Sequence, residues 1–198
     1  MDYKNFFNYL FPGDKLSSFM LAQSAHSVWI KELESQLKTI DIQHGRILAL
    51  GRSIPDVIYF LEKGAIKGYE DHQGKKKITH LWESPCIVGD IISFFYESIS
   101  SLNIEIVQDS SLLVLERPAL SSVIITYPES YLIRESILLK HMIYYEKQYL
   151  DFQKLSAFER FKKLLSTRKG IELIFSKTDL ASYLCISRSS YNEFYARK

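Results

Sequence analysis

The stretch Phe175-Ser-Lys-Thr-Asp-Leu-Ala-Ser-Tyr-Leu-Cys-Ile-Ser-Arg-Ser-Ser-Tyr-Asn-Glu-Phe-Tyr-Ala-Arg-Lys198 decides how this chain is read. Its spacing predicts two helices joined by a tight turn. Ser176 is a good N-cap, and Asp179 three residues on completes a capping arrangement with Asp in place of the usual Glu. Leu180, Ala181 and Leu184 give the first helix an inward face, and Ala181 is small where a second helix must cross closely. Cys185-Ile186 forms the turn, with Ile186 plugged between the helices. Ser187 caps the second helix, whose Tyr191, Phe194 and Tyr195 supply the anchoring side. This is the pattern of a helix-turn-helix, and a plain helical hairpin is the alternative this segment alone leaves open.

Small and apolar positions in such a motif fix the crossing angle, so that the N-terminal end of the second helix projects into the major groove of DNA. The residues expected to face outward are Ser187, Arg188, Ser189, Ser190, Asn192 and Glu193. Arg188 can reach a guanine bidentately, Asn192 can pair with adenine, and Glu193 can accept from cytosine N4. Lys177, Arg197 and Lys198 are expected on phosphates without sequence preference. The sequence stops at Lys198, directly after this helix, which is therefore expected to have little flanking support.

The charge distribution agrees with this reading. The net charge of +2 over 198 residues is uninformative, but from Ala157 onward nine basic residues stand against four acidic ones. The remainder of the chain is net negative. Such asymmetry is the compositional hint of a polyanion-binding end, although basic faces are often only solvated.

Upstream, the stretch from Pro128 to about Leu155 holds no further Pro and no Gly and predicts one long helix. Leu138, Met142, Tyr145, Tyr149 and Phe152 alternate by four and three residues, a heptad stripe about two heptads long. Leu132, Leu139, Ile143 and Leu150 lie on a neighbouring face. Two apolar faces ask for two partners. A two-fold copy of the same helix is the simplest second one, and burial of both faces within one chain is the alternative. Before this, Pro118 sits where a first helical residue is tolerated, with Ala119–Thr126 following as a short helix.

Between Leu37 and Glu116 the texture is that of short strands: Leu37–Ile42, Ile47–Leu50, Val57–Leu61, Ala65–Tyr69, Lys77–Trp82, Ile87–Val88, Ile104–Val107 and Leu112–Leu115. Turn residues separate them, including Glu62-Lys63-Gly64 and a hairpin tip at Asp71-His72-Gln73-Gly74. Strands at this spacing predict an antiparallel barrel or jelly roll. The Lys75–Lys77 run beside the tip is expected to keep a strand end solvated. Residues 1–36 are predicted helical, broken at Pro12-Gly13, with Asp14 a candidate cap and Phe6, Tyr9, Leu10, Phe19, Leu21, Ala22, Val28, Trp29 and Leu33 as apolar positions.

Composition narrows the function classes. A hydrophobic fraction of 46% supplies a real core and argues against disorder. The two cysteines, Cys86 and Cys185, form no CxxC, which speaks against a zinc ribbon, an iron–sulfur cluster or a disulfide framework. No apolar run approaches membrane-spanning length, and Met1-Asp-Tyr-Lys-Asn-Phe-Phe shows no secretory leader, so the expectation is a soluble, cytoplasmic protein without a membrane partner. Nucleophile-elbow, P-loop and dinucleotide fingerprints are missing. A cupin-type metal enzyme wants His-x-His, then Glu and a further His. His72 and His80 are eight residues apart with Glu83 following, so that pattern fails. No catalytic residue and no metal ligand is therefore nominated.

The order of these parts resembles the Crp/Fnr family of bacterial transcription regulators over nearly the full length. The carrying stretches are Ile58-Tyr-Phe-Leu-Glu-Lys-Gly-Ala-Ile-Lys-Gly-Tyr69, Trp82 through Val88-Gly89-Asp90-Ile91, Asp109-Ser-Ser-Leu-Leu-Val-Leu-Glu-Arg117 and Leu180-Ala-Ser-Tyr-Leu-Cys-Ile-Ser-Arg188. The resemblance implies an α+β chain in three parts. These are an N-terminal antiparallel β-roll (a double-stranded β-helix or jelly roll) with helices over 1–127, a long dimerisation helix over 128–155, and a C-terminal winged-helix-like helix-turn-helix over 156–198. It implies a homodimer on a pseudo-palindromic DNA site, with RNA polymerase as a further partner. It also implies a small-molecule effector, of unknown identity or absent, beside Gly89, Asp90, Ile91, Ile92 and Ser93. Members that bind cyclic AMP carry Gly-Glu and then Arg-Ser/Thr-Ala in that loop. Here Gly89-Asp90 is a shortened form of the first, and Glu97–Glu105 contains no arginine, which disfavours cyclic AMP because a buried phosphate would lose its bidentate cation. Residues 1–36 lack the cysteine cluster of the iron–sulfur sensors, and no cofactor is assigned. His44, His72, His80 and His141 are expected to be ordinary surface or core histidines rather than haem ligands. Cys185 replaces the usual turn glycine and is expected to be a tolerated small residue rather than a redox sensor. Glu193 stands where some members place an arginine, so their base preference does not carry over. A ligand-binding or oligomerising roll that no longer binds DNA is the competing reading.

Overall fold

The computed structural model describes residues 3–12 and 26–197. The expected cap Asp14, the apolar positions Phe19, Leu21 and Ala22, and the phosphate candidate Lys198 lie outside the described residues. Among the described residues, helices α1 (Lys4–Leu10) and α2 (His26–Gln36) precede strands β1 (Lys38–Ile42), β2 (Ile47–Ala49), β3 (Val57–His72), β4 (Lys75–Glu83) and β5 (Cys86–Val88). A short helix α3 (Ile91–Tyr96), strand β6 (Asn103–Glu116), helix α4 (Arg117–Thr126) and a 3₁₀ turn (Pro128–Ser130) lead into α5 (Tyr131–Lys154). Helices α6 (Ala157–Thr167), α7 (Ile171–Ile174), α8 (Lys177–Tyr183) and α9 (Arg188–Ala196) complete the chain. The class is α+β, as expected.

All strand pairs are antiparallel. The sheet runs β1-β6-β3-β4, with β2 also on β6 and β5 also on β3. Two expected breaks are absent. Glu62-Lys63-Gly64 does not turn the chain; it bulges within the 16-residue strand β3, where the pairing with β6 shifts register. Gly64 has φ +104, and a Cβ there would sit 2.3 Å from Ser110 Oγ, so the glycine serves a close strand approach rather than a turn. The two stretches Ile104–Val107 and Leu112–Leu115 likewise belong to the single strand β6. The hairpin tip is where the sequence puts it. His72 faces Lys75, Gln73 and Gly74 both have positive φ, and Gly74 N–H donates to Asp71 Oδ1 at 2.7 Å. Two successive positive-φ residues are what a two-residue hairpin loop matched to strand twist requires.

Strand alternation distributes the apolar side chains among three clusters. Leu61, Ile66, Trp82, Val88, Leu102, Ile104, Ile106 and Leu112 fill the inside of the roll. Ile58, Phe60, Leu113 and Leu115 meet α1, α2, α3, α4 and the start of α5 through Phe6, Trp29, Phe94, Leu120, Ile133 and Ile137. Val28, counted among the apolar positions of α2, is exposed. The third cluster joins the sheet to the C-terminal helices. Ala65, Tyr69, Ile78 and Leu81 on the outer sheet face are buried with Phe161, Leu164, Ile171, Phe175, Leu180, Ala181, Leu184 and Tyr191. Period-2 alternation places Ala65, Lys67 and Tyr69 on one face of β3 and Ile66 on the other, so one strand serves two cores.

Candidate nucleic-acid interface

Helices α8 and α9 form the helix-turn-helix. Ser176 Oγ accepts from Asp179 N–H at 3.1 Å and Ser187 Oγ from Ser190 N–H at 3.0 Å, so both helices begin at serine caps. Leu180, Ala181 and Leu184 are buried, and Ile186 packs against them from the turn. Cys185 takes the left-handed conformation (φ 55) that glycine adopts without strain. Tyr191 is fully buried and edge-on to Phe161, and Phe194 lies against Phe158, so these two anchor α9. Tyr195 does not. It is exposed, one helical step beyond Phe194, with Lys177 Nζ 4.8 Å from its ring centre.

Of the residues expected on DNA, Ser187, Arg188, Ser189, Asn192 and Glu193 are exposed on one surface, while Ser190 is half-buried. Several are already engaged. Ser187 Oγ lies 2.7 Å from Ser189 Oγ and 2.8 Å from Ser190 Oγ, so its capping role occupies it. Arg188 donates to Thr178 Oγ1, which holds its guanidinium beside the first turn of α8 and next to exposed Lys177. Glu193 is paired with Arg197 one helical turn later, which leaves neither as a free charge.

Not all of the positive charge faces outward. Arg160 donates to the Leu155 and Leu184 carbonyls and stacks on Phe152. Lys163 pairs with Asp151 at 2.5 Å. Arg168 pairs with Glu83 and donates to the Leu81 carbonyl at 2.8 Å. These three fasten α6 to the long helix and the sheet. Lys67 on β3 lies 3.3 Å from Asp179, Ile78 N–H donates to Ser182 Oγ at 3.0 Å, and Gln148 donates to Tyr144 and Tyr183. Sequence reasoning missed this seam. Its partners lie far apart in the chain, and alternation along β3 and β4 was the only signal for it.

On α5, Met142, Tyr145, Tyr149 and Phe152 are exposed and Leu138 is half-buried, all lining one groove of about 960 Å³ between this helix, β4 and the helix-turn-helix. Leu139 and Ile143 are exposed on the adjoining face, and only Ile133 and Ile137 are fully buried.

The loop at Gly89–Ser93 is built by its own hydrogen bonds. Asp90 caps α3, with Oδ1 accepting from Ser93 N–H at 3.0 Å and Oδ2 from the hydroxyls of Ser93 and Ser100, each at 2.8 Å. Ile91 and Ser93 are buried, whereas Ile92 is exposed on the groove. Gly89 (φ +147) has no room for a side chain, because a Cβ would lie 2.9 Å from Ile58 Cγ2. A recess of about 220 Å³ inside the roll has Asp56 and Asp90 on its wall and, among the described residues, no lysine or arginine.

The histidines divide as their surroundings dictate. His44 and His72 are exposed. His80 is buried between Trp82 and Tyr144, with Thr79 Oγ1 2.9 Å from Nδ1 and Tyr145 Oη 2.7 Å from Nε2. Burial, then the nearby His141 charge, lowers its pKa to about 4. Burial pushes the Cys86 thiol up to about 12, so it stays protonated. Among the described residues no three His, Cys, Asp or Glu side chains gather as a metal site, and no helix is long and apolar enough to cross a membrane.

Solved structures share this architecture. FixK2 from Bradyrhizobium japonicum superposes with a TM-score of 0.69 at 15% identity, over 81% of this chain and 83% of that one. The c-di-GMP responsive global regulator CLP of Xanthomonas campestris gives 0.67 at 12% identity, over 86% and 90%. CooA from Carboxydothermus hydrogenoformans, as a double mutant, gives 0.63 at 13% identity, over 89% and 81%. The chain thus has the fold of the Crp/Fnr regulators. No protein-family model matches the sequence, and the search of characterised proteins gives no match.

Proposed function

We propose that this protein is a sequence-specific, DNA-binding transcription regulator of the Crp/Fnr type, non-catalytic and acting as a homodimer on a pseudo-palindromic site. The observation that carries the reading is the α8–α9 unit. Two serine-capped helices cross on buried Leu180, Ala181 and Tyr191, leaving Arg188 and Asn192 outward at the start of the second helix. Arg188 is the residue assigned to a guanine, Asn192 to adenine, and Lys177 to phosphate. Glu193 serves cytosine only if Arg197 releases it.

The second copy is assigned to the α5 face bearing Leu138, Met142, Tyr145, Tyr149 and Phe152. That helix of 24 residues is about 36 Å long, enough for a two-helix seam of several turns. Two-fold pairing would present two recognition helices at roughly the 34 Å repeat of one DNA turn. The reading carries a cytoplasmic location and RNA polymerase as a further partner. Cyclic AMP is not the assigned effector. The inner recess offers a phosphate two carboxylates and no cation, and Asp90 already accepts three hydrogen bonds.

Fluorescence titration against a genomic fragment library at several salt concentrations tests the reading. Binding that weakens steeply with salt supports it. Absence of binding to every fragment at low salt would show that the helix-turn-helix is not a DNA reader.

A further inference from the structure

A second recess lies where α5 crosses the β4–β5 corner; it holds about 300 Å³ and borders the loop at Gly89–Ser93, which contributes Gly89 and Ile91 to its wall. Small-molecule sites begin at roughly this size. One wall is a single face of α5, because Ile137, Lys140, His141 and Tyr144 recur at helical spacing. The opposite wall comes from Trp82, Cys86 and Ile87, with Ile91 and Tyr9 closing the ends. The lining is mostly apolar and aromatic.

Lys140 has no counter-ion among the described residues. The residue is half-buried, its Nζ sits 4.4 Å from the centre of the Tyr9 ring, and no carboxylate among the described residues lies within ion-pair distance of it. Burial lowers its pKa, and no neighbouring charge offsets that effect. The one carboxylate among the described wall residues, Glu83, is committed to Arg168. Partial desolvation of an ammonium beside an apolar cavity costs free energy that a counter-ion would recover. An anion entering the recess supplies that partner, and the apolar walls take the rest of the molecule.

We infer that this recess binds a small organic anion with an apolar body, its carboxylate or equivalent group paired with Lys140 and its chain lying against Ile87, Ile91 and Ile137. His141, adjacent on the same wall, is placed to donate a second hydrogen bond. The inference of binding stands on the cavity and does not depend on the DNA-binding reading. Its regulatory consequence does. Arg168 and Tyr144 line the same recess and fasten the C-terminal helices to the sheet and α5, Tyr144 through its hydroxyl 3.3 Å from that of Tyr183, so a ligand there touches the seam that holds the reader.

The test is calorimetric titration of the full chain, without DNA, using sodium hexanoate and 1-hexanol as probes of equal chain length. Hexanoate is expected to bind about ten-fold more tightly than hexanol, reflecting one charge-assisted contact. In Lys140→Met the preference is expected to vanish, with hexanol binding unchanged. In Ile87→Trp, which fills the recess from a half-buried position, both probes are expected to lose binding. Equal affinity for the two probes, no hexanoate binding, or a preference that survives Lys140→Met would overturn the assignment. Retained hexanoate binding in a folded Ile87→Trp protein would locate the site elsewhere. None of these outcomes bears on whether the protein binds DNA.

Discussion

Lys67 of the sheet reaches Asp179 of helix α8 at 3.3 Å and Glu105 of the neighbouring strand at 3.2 Å, with its side chain only 13% exposed. Asp179 is also hydrogen-bonded to the cap residue Ser176. One lysine therefore ties the start of the helix-turn-helix to the outer face of the roll, above the apolar contact of Ala65, Tyr69, Ile78 and Leu81 with α6–α9. Removing the cation leaves Asp179 facing Glu105 with only Lys76 on the latter. Lys67→Met is expected to cost about 2 kcal/mol in urea unfolding, less than a fully buried pair because the site is partly solvated. Faster tryptic cutting within 157–197 should accompany it.

Ile78 is the apolar counterpart of that contact, almost fully buried between β4 and the C-terminal helices. Ile78→Ala is expected to destabilise by roughly 2–4 kcal/mol. Because the cluster spans both parts, heating should show one transition, and two separate transitions in calorimetry would contradict the shared core.

Cys185 occupies the turn with φ 55 and an exposed side chain. A residue with a Cβ pays a steric penalty there that glycine avoids. Cys185→Gly is expected to stabilise the protein by about 1 kcal/mol in urea unfolding, the backbone gain exceeding the added entropy of the unfolded chain.

How much of this was legible in the sequence differs by element. The helix-turn-helix could be read almost residue by residue, because caps, a small crossing residue and buried aromatics are local signals at fixed offsets. The single strands β3 and β6 could not, since Gly64 marks a bulge as well as it marks a turn. The charge asymmetry is only a hint in the sequence, and part of the positive charge is spent inside the fold. Arg168 belongs to Glu83, 85 residues away, and no local pattern announces such a partner. The resemblance marks Gly89–Asp90 only as an effector loop; that Asp90 spends its carboxylate on Ser93 and Ser100 is a fact of folding back, not of spacing. Tyr195 was misplaced because an aromatic one step past an anchor looks like another anchor.

His80 makes stability depend on pH. Its folded pKa, about 4, lies below the ordinary histidine value of 6.5, so below pH 6.5 the unfolded chain takes up a proton that the folded chain refuses. Stability is complete above pH 6.5 and is lost as the pH falls toward 4, by on the order of 3 kcal/mol from this residue. His141, also lowered by burial, adds in the same direction. Urea midpoints across this window should fall with pH in the native protein and less steeply in His80→Gln.

Met142 and Tyr149 are exposed on the groove side of α5 and are assigned to the two-fold seam. Met142→Glu with Tyr149→Glu should yield folded monomers in analytical ultracentrifugation, with DNA affinity reduced far below that of the native chain. An undiminished dimer would move the seam to the Leu139–Ile143 face.

Selection of binding sites from a random duplex pool, run in parallel on the native protein and on Arg188→Ala, addresses the DNA-reading dimer most directly. The expected result is enrichment of a pseudo-palindrome with half-sites about one helical turn apart. Arg188→Ala should lose preference at one base pair in each half-site, at a cost of about 1–3 kcal/mol. Failure of the native protein to enrich any sequence, or enrichment of a single unrepeated element that Arg188→Ala reads equally well, would contradict it.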